Sequence, residues 1–132
     1  TGWYDLSTHF PWIGERTRDL NGAHVEFFRG VENPIGVKIG PSVTPEELLE
    51  LIAVLNPQNQ AGRLTLIHRF GVRLIETCLP PLIEAVQRKG QVVLCLQFDQ
   101  PALVQEIVPN VPHHLHRRVT PPYILDISQY WP

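Results

Sequence analysis

Methionine is absent from all 132 residues, the first position included, and only two cysteines, Cys78 and Cys95, occur. The missing initiator favours a sequence that begins inside a longer translation product, the alternative being removal of the initiator. Two cysteines within or beside apolar runs provide neither a disulfide framework nor a zinc knuckle. We therefore expect a reducing, cytoplasmic setting.

Long apolar runs and net charge are also scarce. No run reaches the roughly 18 residues of a membrane span, and the first residues lack the basic, apolar and small-residue order of a secretory signal, so we expect a soluble protein. A formal net charge of -2 produces no overall field that would attract nucleic acid or an acidic membrane. Any affinity for anions must come from cations that lie close together.

Four apolar runs that end in glycine or in a polar turn predict β-strands. They are His9 to Gly14, Pro34 to Gly40, Leu64 to Gly71 and Gln91 to Leu96. Three of these runs are continuously apolar rather than alternating. That pattern is typical of parallel strands that are buried on both faces.

The clearest helix lies between the second and third strands. Thr44 is the predicted N-cap, Pro45 occupies the first helical position, and Glu47 completes a capping box. The expected core stripe is Leu48, Leu51, Ile52 and Leu55. Asn56-Pro57 should then end the helix, because proline cannot continue it.

Two weaker helices are predicted from Gly22 to Phe28 and from about Pro80 to Lys89. Strands that alternate with helices indicate βαβ units, and right-handed crossovers make their strands parallel. We predict an α/β fold: a partial (β/α)8 TIM barrel of about four βα units over residues 1–96, with an irregular proline- and histidine-rich tail over residues 97–132. In that tail only Leu103 to Val108 resembles an element. A small open doubly wound sheet is the alternative.

Three strand candidates end in the same way, with an apolar run, one cation and a nearby glycine. The cations are Arg16, Lys38 and Arg69, which are 22 and 31 residues apart, about one βα unit each. In β/α barrels the carboxyl ends of the strands meet at one mouth, where substrates bind. Arginine matches phosphate or carboxylate with a planar fork, and lysine adds a compact charge. The pattern predicts a site for a small dianion.

Simpler interpretations compete with this prediction. Each cation could be a solvated strand end, or the partner of Glu15, Glu32 or Glu47. The cluster of His113, His114 and His116 could bind a metal, but histidine-rich tails without carboxylate or cysteine ligands are usually only polar sequence. His9, His24 and His68 are expected to be hydrogen-bonded core residues more often than acid/base groups.

Several longer stretches resemble the class II family of 3-deoxy-D-arabino-heptulosonate 7-phosphate (DAHP) synthases. The resembling stretches are Trp12 to Phe27, Asn33 to Ser42, Leu55 to Asn59 and Gly62 to Leu66. The resemblance covers about Ser7 to Gly90 without gaps. It implies a β/α barrel, a transferase of the shikimate pathway for aromatic amino acids, and an aldol-like condensation of phosphoenolpyruvate with erythrose 4-phosphate.

The same resemblance implies roles for individual residues. Glu15, through its backbone, and Arg16, Lys38 and Arg69 would hold phosphoenolpyruvate, and Lys38 could also serve in proton transfer. A divalent metal such as manganese or cobalt would polarise the aldehyde of the second substrate. Small phosphorylated molecules are therefore the expected partners, rather than nucleic acid or membrane.

The chain departs from the family where the metal should bind. The family's next strand ends in Cys-Asp-Pro-Met-His-Gly-Asn, whose histidine is a ligand, whereas Cys95 to Pro101 reads Cys-Leu-Gln-Phe-Asp-Gln-Pro. The family's cysteine ligand lies upstream of this sequence, and residues 97–132 do not resemble the segments that carry its acidic ligands. We therefore expect a fragment or truncated form that is inactive alone and self-associates through unpaired sheet edges. The alternative is a non-catalytic, phosphate-ligand-binding or regulatory half-barrel.

Overall fold

The structure is a computed structural model that describes residues 2–71, 73–97 and 123–126. Its core is one sheet in which neighbouring strands are parallel and follow each other in chain order. The strands are β1 (Trp12–Ile13), β2 (Ile35–Ile39), β3 (Leu64–His68), β4 (Leu94–Gln97) and β5 (Tyr123–Asp126).

Three helices connect the first four strands: α1 (Ala23–Arg29), α2 (Pro45–Leu55) and α3 (Ile75–Arg88). Helix α1 packs against α2, and α2 packs against α3. Ile35, Val37 and Ile39 of β2 are fully buried in one core with Leu48 and Ile52 of α2. Among residues 2–71 and 73–97, no helix combines the length and apolarity that a bilayer crossing requires.

The chain-order arrangement of the strands places the helices on one side of the sheet. Each right-handed crossover between neighbouring parallel strands carries its helix to the same face when the strand order does not reverse. A doubly wound sheet requires such a reversal, and the five described strands contain none. The α/β class and the parallel sheet are therefore confirmed, and the arrangement is compatible with a partial barrel.

The prediction of α2 is confirmed in detail. Thr44 Oγ1 accepts a hydrogen bond from the Glu47 backbone N–H at 3.2 Å, and Glu47 Oε2 accepts one from the Thr44 N–H at 3.0 Å. Asn56 follows as the C-cap, as its position predicts. Helix α1 is also confirmed, one residue later than predicted at each end, with Gly22 as its N-cap.

All four predicted strands were too long, β2 by one residue at each end. Strand β1 begins only at Trp12, because the preceding Pro11 has no N–H for the ladder and contributes only its carbonyl, which accepts from Gly36. Strand β3 ends at His68, before the turn in which Gly71 has a φ of 69°. Strand β4 begins at Leu94 rather than Gln91, because the Gln91 N–H still donates to Val86 at the end of α3.

Helix α3 begins at Ile75, five residues before the predicted start at Pro80. Pro80 and Pro81 lie inside the helix rather than in its first turn, where proline is tolerated. A single buried stripe runs through them: Ile75, Leu79, Leu82, Ile83 and Val86. Burial of this stripe against the core outweighs the hydrogen bonds that the prolines cannot donate.

The tail contains one described strand that the sequence patterns did not predict, since Tyr123–Asp126 forms β5 beside β4. The predicted element Leu103 to Val108 lies outside the described residues. The division into 1–96 and 97–132 stays a prediction, because only Gln97 and Tyr123–Asp126 of the second segment are described.

Asn59 ties the loop after α2 to the loop before β4. Its Nδ2 donates to the Gly90 carbonyl at 2.9 Å, and its Oδ1 accepts from the Val92 N–H at 2.7 Å. Its backbone φ is 51°, in the left-handed region that asparagine tolerates better than most residues.

We expect Asn59→Ala to lower the free energy of unfolding by about 2 kcal/mol, through two lost hydrogen bonds and the left-handed backbone. Asn59→Gly loses the same bonds but accepts this φ, so its loss should be smaller, by about 1 kcal/mol. Urea unfolding followed by circular dichroism measures both. Equal stability of the alanine variant and the unmodified chain would contradict the role of Asn59.

Candidate functional site

The structure places the predicted site residues at the carboxyl edge of three neighbouring strands. Glu15 and Arg16 belong to a single 3-10 turn, Glu15–Thr17, directly after β1. Lys38 is the fourth residue of β2. Arg69 follows β3, and its backbone N–H donates to the Ile39 carbonyl at 2.8 Å. Adjacent strands are about 4.8 Å apart, so these backbone positions are close neighbours.

Lys38 lies on the sheet face opposite the helices, which we call the inner face and define by Trp12, Gly36, Lys38 and Ile67. The Lys38 ammonium sits 5.2 Å from the centre of the Trp12 ring. A Cβ on Gly36 would lie 2.8 Å from Ile67 Cδ1, so only glycine leaves room for these side chains. The cation–π contact holds Lys38 on the inner face.

The three cations are not neutralised within the described part of the chain. The only ion pair there joins Arg29 to Glu26 on the exposed side of α1, at 2.8 Å. The alternative that Arg16, Lys38 or Arg69 pairs with Glu15, Glu32 or Glu47 is therefore wrong. Arg16 and Arg69 are exposed and Lys38 is half-buried, so all three charges are available to an anion.

The Glu15 side chain lies at the end of β2. Its carboxylate lies against the Cα of Gly40, where an added Cβ would be 2.7 Å from Glu15 Cδ. Ser42 Oγ donates to Glu15 Oε1 at 3.5 Å and accepts from Arg18 Nη2 at 2.8 Å. Sequence patterns alone give Arg18 and Ser42 no role, because 24 residues separate them.

A pocket of about 380 Å³ opens between the loop after the 3-10 turn and α2. Its walls carry the carboxylates of Glu15, Asp19 and Glu47 and one cation, Arg18. This excess of negative charge repels phosphate and carboxylate. The cationic edge is therefore the better place for an anion.

The histidines do not form a second site among the described residues. His9 and His24 are exposed. His68 is buried, but on the helix side of β3, and neither of its ring nitrogens has a described hydrogen-bond partner. His68 is therefore a core residue, as expected, but it is not hydrogen-bonded to any described group. His113, His114 and His116 lie outside the described residues.

The described residues do not fit a divalent metal. Nowhere in residues 2–71, 73–97 and 123–126 do three or more His, Cys, Asp or Glu side chains come together as a ligand set. Both cysteines are free thiols, and burial raises the pKa of Cys95 to about 12, so this thiol stays protonated. A protonated, buried thiol is a poor metal ligand.

Comparison with known proteins identifies the family. The sequence model of the class-II DAHP synthetase family matches residues 1–100. The chain belongs to this family. The resemblance expected from the sequence motifs is thereby confirmed.

Two curated relatives illustrate how much of a class-II DAHP synthetase the chain represents. It is 53% identical over 90 residues to the probable phospho-2-dehydro-3-deoxyheptonate aldolase, chloroplastic, of Catharanthus roseus, which covers 68% of this chain and 18% of that protein. It is 53% identical over 91 residues to phospho-2-dehydro-3-deoxyheptonate aldolase AroG of Mycolicibacterium smegmatis, covering 69% of this chain and 20% of that protein. The chain spans about a fifth of the length of these relatives.

The motifs that resemble class-II DAHP synthetases divide into two structural groups. Trp12, Glu15 and Lys38 lie at or near the cationic edge. Asn33 and Asn59 are instead scaffold residues that join loops at the opposite edge: the Asn33 side chain, for example, exchanges two hydrogen bonds with the Asp5 backbone, at 2.8 and 2.9 Å. A shared motif therefore does not by itself mark a substrate contact.

Proposed function

We propose that the chain is the phosphoenolpyruvate-binding part of a DAHP synthase, a transferase that joins phosphoenolpyruvate to erythrose 4-phosphate in the first step of the shikimate pathway. The observation that carries the proposal is the cationic edge, formed by Arg16, Lys38 and Arg69 in a chain of the class-II DAHP synthetase family. The relatives are named phospho-2-dehydro-3-deoxyheptonate aldolases, which agrees with this reaction.

Each cation has a distinct part in this proposal. The exposed guanidinium groups of Arg16 and Arg69 can each donate two parallel hydrogen bonds to a phosphate or a carboxylate. Lys38 supplies a point charge between them, and its ammonium could also transfer a proton to the substrate. The Glu15 backbone would contact the ligand, since the Glu15 carboxylate is bonded to Ser42.

The architecture belongs to the proposal as well. We infer that residues 1–96 form part of a (β/α)8 barrel and that residues 97–132 form a separate, divergent segment. The chain-order sheet and the one-sided helices support the barrel. We also infer self-association, because the inner face exposes 54% of Trp12 and strand edges invite pairing.

A divalent metal cofactor and a cytoplasmic location are also part of the proposal. Manganese or cobalt would act as a Lewis acid on the aldehyde, but no ligand set for it exists among the described residues. For this reason we propose that the chain alone does not catalyse the condensation. A cytoplasmic location agrees with the free thiols of Cys78 and Cys95, since reducing compartments keep thiols unpaired.

The binding proposal is tested by calorimetric titration of the full chain with phosphoenolpyruvate. We expect saturable binding, and we expect Arg69→Ala to weaken it about 10- to 100-fold, the usual worth of a charge-assisted hydrogen bond. Arg88→Ala, which removes the same charge at the end of α3, is the matched control and should bind like the unmodified chain. Absence of binding to the unmodified chain would refute the proposed function.

A coupled assay of phosphate release tests the proposed lack of catalysis. The full chain, supplied with manganese, phosphoenolpyruvate and erythrose 4-phosphate, should release no phosphate above the background. Metal-dependent release would show that the chain does carry a working metal site. The alternative of a non-catalytic half-barrel is not favoured, because membership of the enzyme family explains the same observations equally well.

A further inference from the structure

The 3-10 turn that carries Arg16 is too short to hold its own position. It contains three residues, Glu15–Thr17, none of them buried, and its N-cap, Gly14, provides no side-chain hydrogen bond. Its own bonds are those that Thr17 donates to the Gly14 carbonyl, from the backbone at 3.1 Å and from the hydroxyl at 3.3 Å. Such short 3-10 pieces are marginal without outside contacts.

The outside contact comes from the end of the neighbouring strand. After Lys38 and Ile39, the chain turns at Gly40, and the Val43 N–H donates back to the Gly40 carbonyl at 3.2 Å. This turn presents the Ser42 hydroxyl to the Glu15 carboxylate. The bare Cα of Gly40 allows the carboxylate to lie directly at the end of β2, where any side chain would displace it.

Arg18 completes the chain of contacts from the other side. A hydroxyl can donate one hydrogen bond and accept others, and Ser42 does both: it accepts from Arg18 Nη2 at 2.8 Å and donates to Glu15. The charged donor polarises the hydroxyl and strengthens its bond to the carboxylate. Glu15 begins the turn and Arg18 follows it, so both ends of the turn are tied to the segment directly after β2.

We propose that Ser42 and Arg18 are positioning residues of the phosphoenolpyruvate site. Acting through the Glu15 carboxylate on Gly40, they fix the 3-10 turn, and therefore Arg16 and the Glu15 backbone, relative to Lys38 two residues before Gly40. The inference rests on the proposed function, which supplies phosphoenolpyruvate as the ligand. It assigns the Glu15 side chain to the scaffold and only the Glu15 backbone to the substrate.

Ser42→Ala tests this arrangement with two measurements. Hydrogen exchange of the Thr17 amide, which is bonded to Gly14, should be about fivefold faster, since one hydrogen bond is worth about 1 kcal/mol. The dissociation constant for phosphoenolpyruvate should rise by about the same factor, while the melting temperature falls by at most about 5 °C. Ser42→Thr keeps the hydroxyl and should restore both values. Thr77→Ala, which removes an exposed hydroxyl bonded to Leu74 in α3, should change neither.

Gly40→Ala provides the second variant. Its Cβ meets only the flexible end of the Glu15 side chain, so the fold should be kept while the carboxylate is displaced. Ligand affinity should fall as in Ser42→Ala, and the double variant should be no worse than either single one, because both act through one contact. Additive losses would overturn the proposal.

The outcomes separate this inference from the proposed function. If the unmodified chain binds phosphoenolpyruvate and Ser42→Ala binds it equally well, the positioning role is wrong and the function stands. If the unmodified chain does not bind it, the function fails, and the Thr17 exchange rate alone decides whether Ser42 holds the turn. Equal exchange in both proteins overturns the inference in either case.

Discussion

Replacing Arg63 by alanine is expected to lower the free energy of unfolding by about 4 kcal/mol, because it leaves four backbone carbonyls without their donor. Arg63 Nη2 donates to Phe28 at 3.1 Å and to Val31 at 2.6 Å, Nε donates to Leu55 at 3.3 Å, and Nη1 donates to Asn33. One half-buried guanidinium thus joins the ends of α1 and α2 to the start of β2.

Helix dipoles add to this effect. Phe28 lies in the last turn of α1 and Leu55 ends α2, so the positive charge of Arg63 faces the negative ends of two helices. Burial lowers the pKa of Arg63 below its ordinary value, and the nearby charge of Glu32 opposes that shift. The guanidinium nevertheless stays charged at neutral pH, because an arginine side chain is not deprotonated in a folded protein.

The effect of Arg63 is measured by urea unfolding at neutral pH. Arg63→Lys keeps the charge but loses the planar fork, so it should recover only about half of the lost stability. Arg29→Ala is the control, since its exposed ion pair with Glu26 is worth at most about 0.5 kcal/mol. A loss below about 1 kcal/mol for Arg63→Ala would mean that water satisfies these carbonyls equally well.

The second large effect is a loss of stability in mild acid that depends on His68. Burial lowers the pKa of this imidazole from 6.5 to about 4, and no described group accepts a hydrogen bond from it. Its ring packs edge-on against Phe70, with the centroids 6.0 Å apart. The folded chain therefore holds His68 neutral in surroundings that cannot solvate its charged form.

The direction of the pH dependence follows from proton binding. Between pH 6.5 and about 4 the unfolded chain binds a proton that the folded chain does not, so stability is complete above 6.5 and falls as the pH decreases. We expect a loss of about 2 kcal/mol between pH 7.5 and 5. The Asp5 carboxyl, whose pKa is lowered by its hydrogen bonds from Ser7, adds its loss only below its ordinary value of 3.8.

His68→Leu should remove this pH dependence and raise stability at pH 7.5 by about 1 kcal/mol, because an apolar side chain leaves no buried polar atom unpaired. Urea unfolding at pH 7.5 and pH 5 measures both effects. His24→Leu, on the exposed side of α1, is the matched control and should keep the slope of the parent chain. An unchanged slope in His68→Leu would assign the acid sensitivity to other groups.

The success of the sequence predictions depended on the distance between interacting residues. Helix α2 was predicted correctly because the reciprocal bonds of Thr44 and Glu47 join residues three positions apart. The early start of α3 was missed because the cost of Pro80 and Pro81 is visible in the sequence, whereas the burial that outweighs it depends on the sheet. Hydrogen bonds within one segment can be predicted from its sequence, whereas burial depends on the rest of the fold.

The candidate site shows the same division. Arg16, Lys38 and Arg69 could be found from one repeated pattern, because parallel connectivity brings equivalent strand ends together. Arg18, Ser42 and Arg63 could not: Arg18 and Ser42 are 24 residues apart, and Asn33, Phe28 and Val31, three of the four residues to which Arg63 donates, are 30 or more residues away. The orphaned nitrogens of His68 were equally hidden, because its burial against Phe70 requires the folded core.

The chain-order sheet also affects how the protein can form during synthesis. Each strand pairs with the strand that precedes it in the sequence, so β2 finds β1, and β3 finds β2, already synthesised. Every new βα unit closes a loop of only about 30 residues, a modest entropic cost compared with pairing distant strands. A nascent chain can therefore add one unit at a time to a growing edge, from its first strand onward.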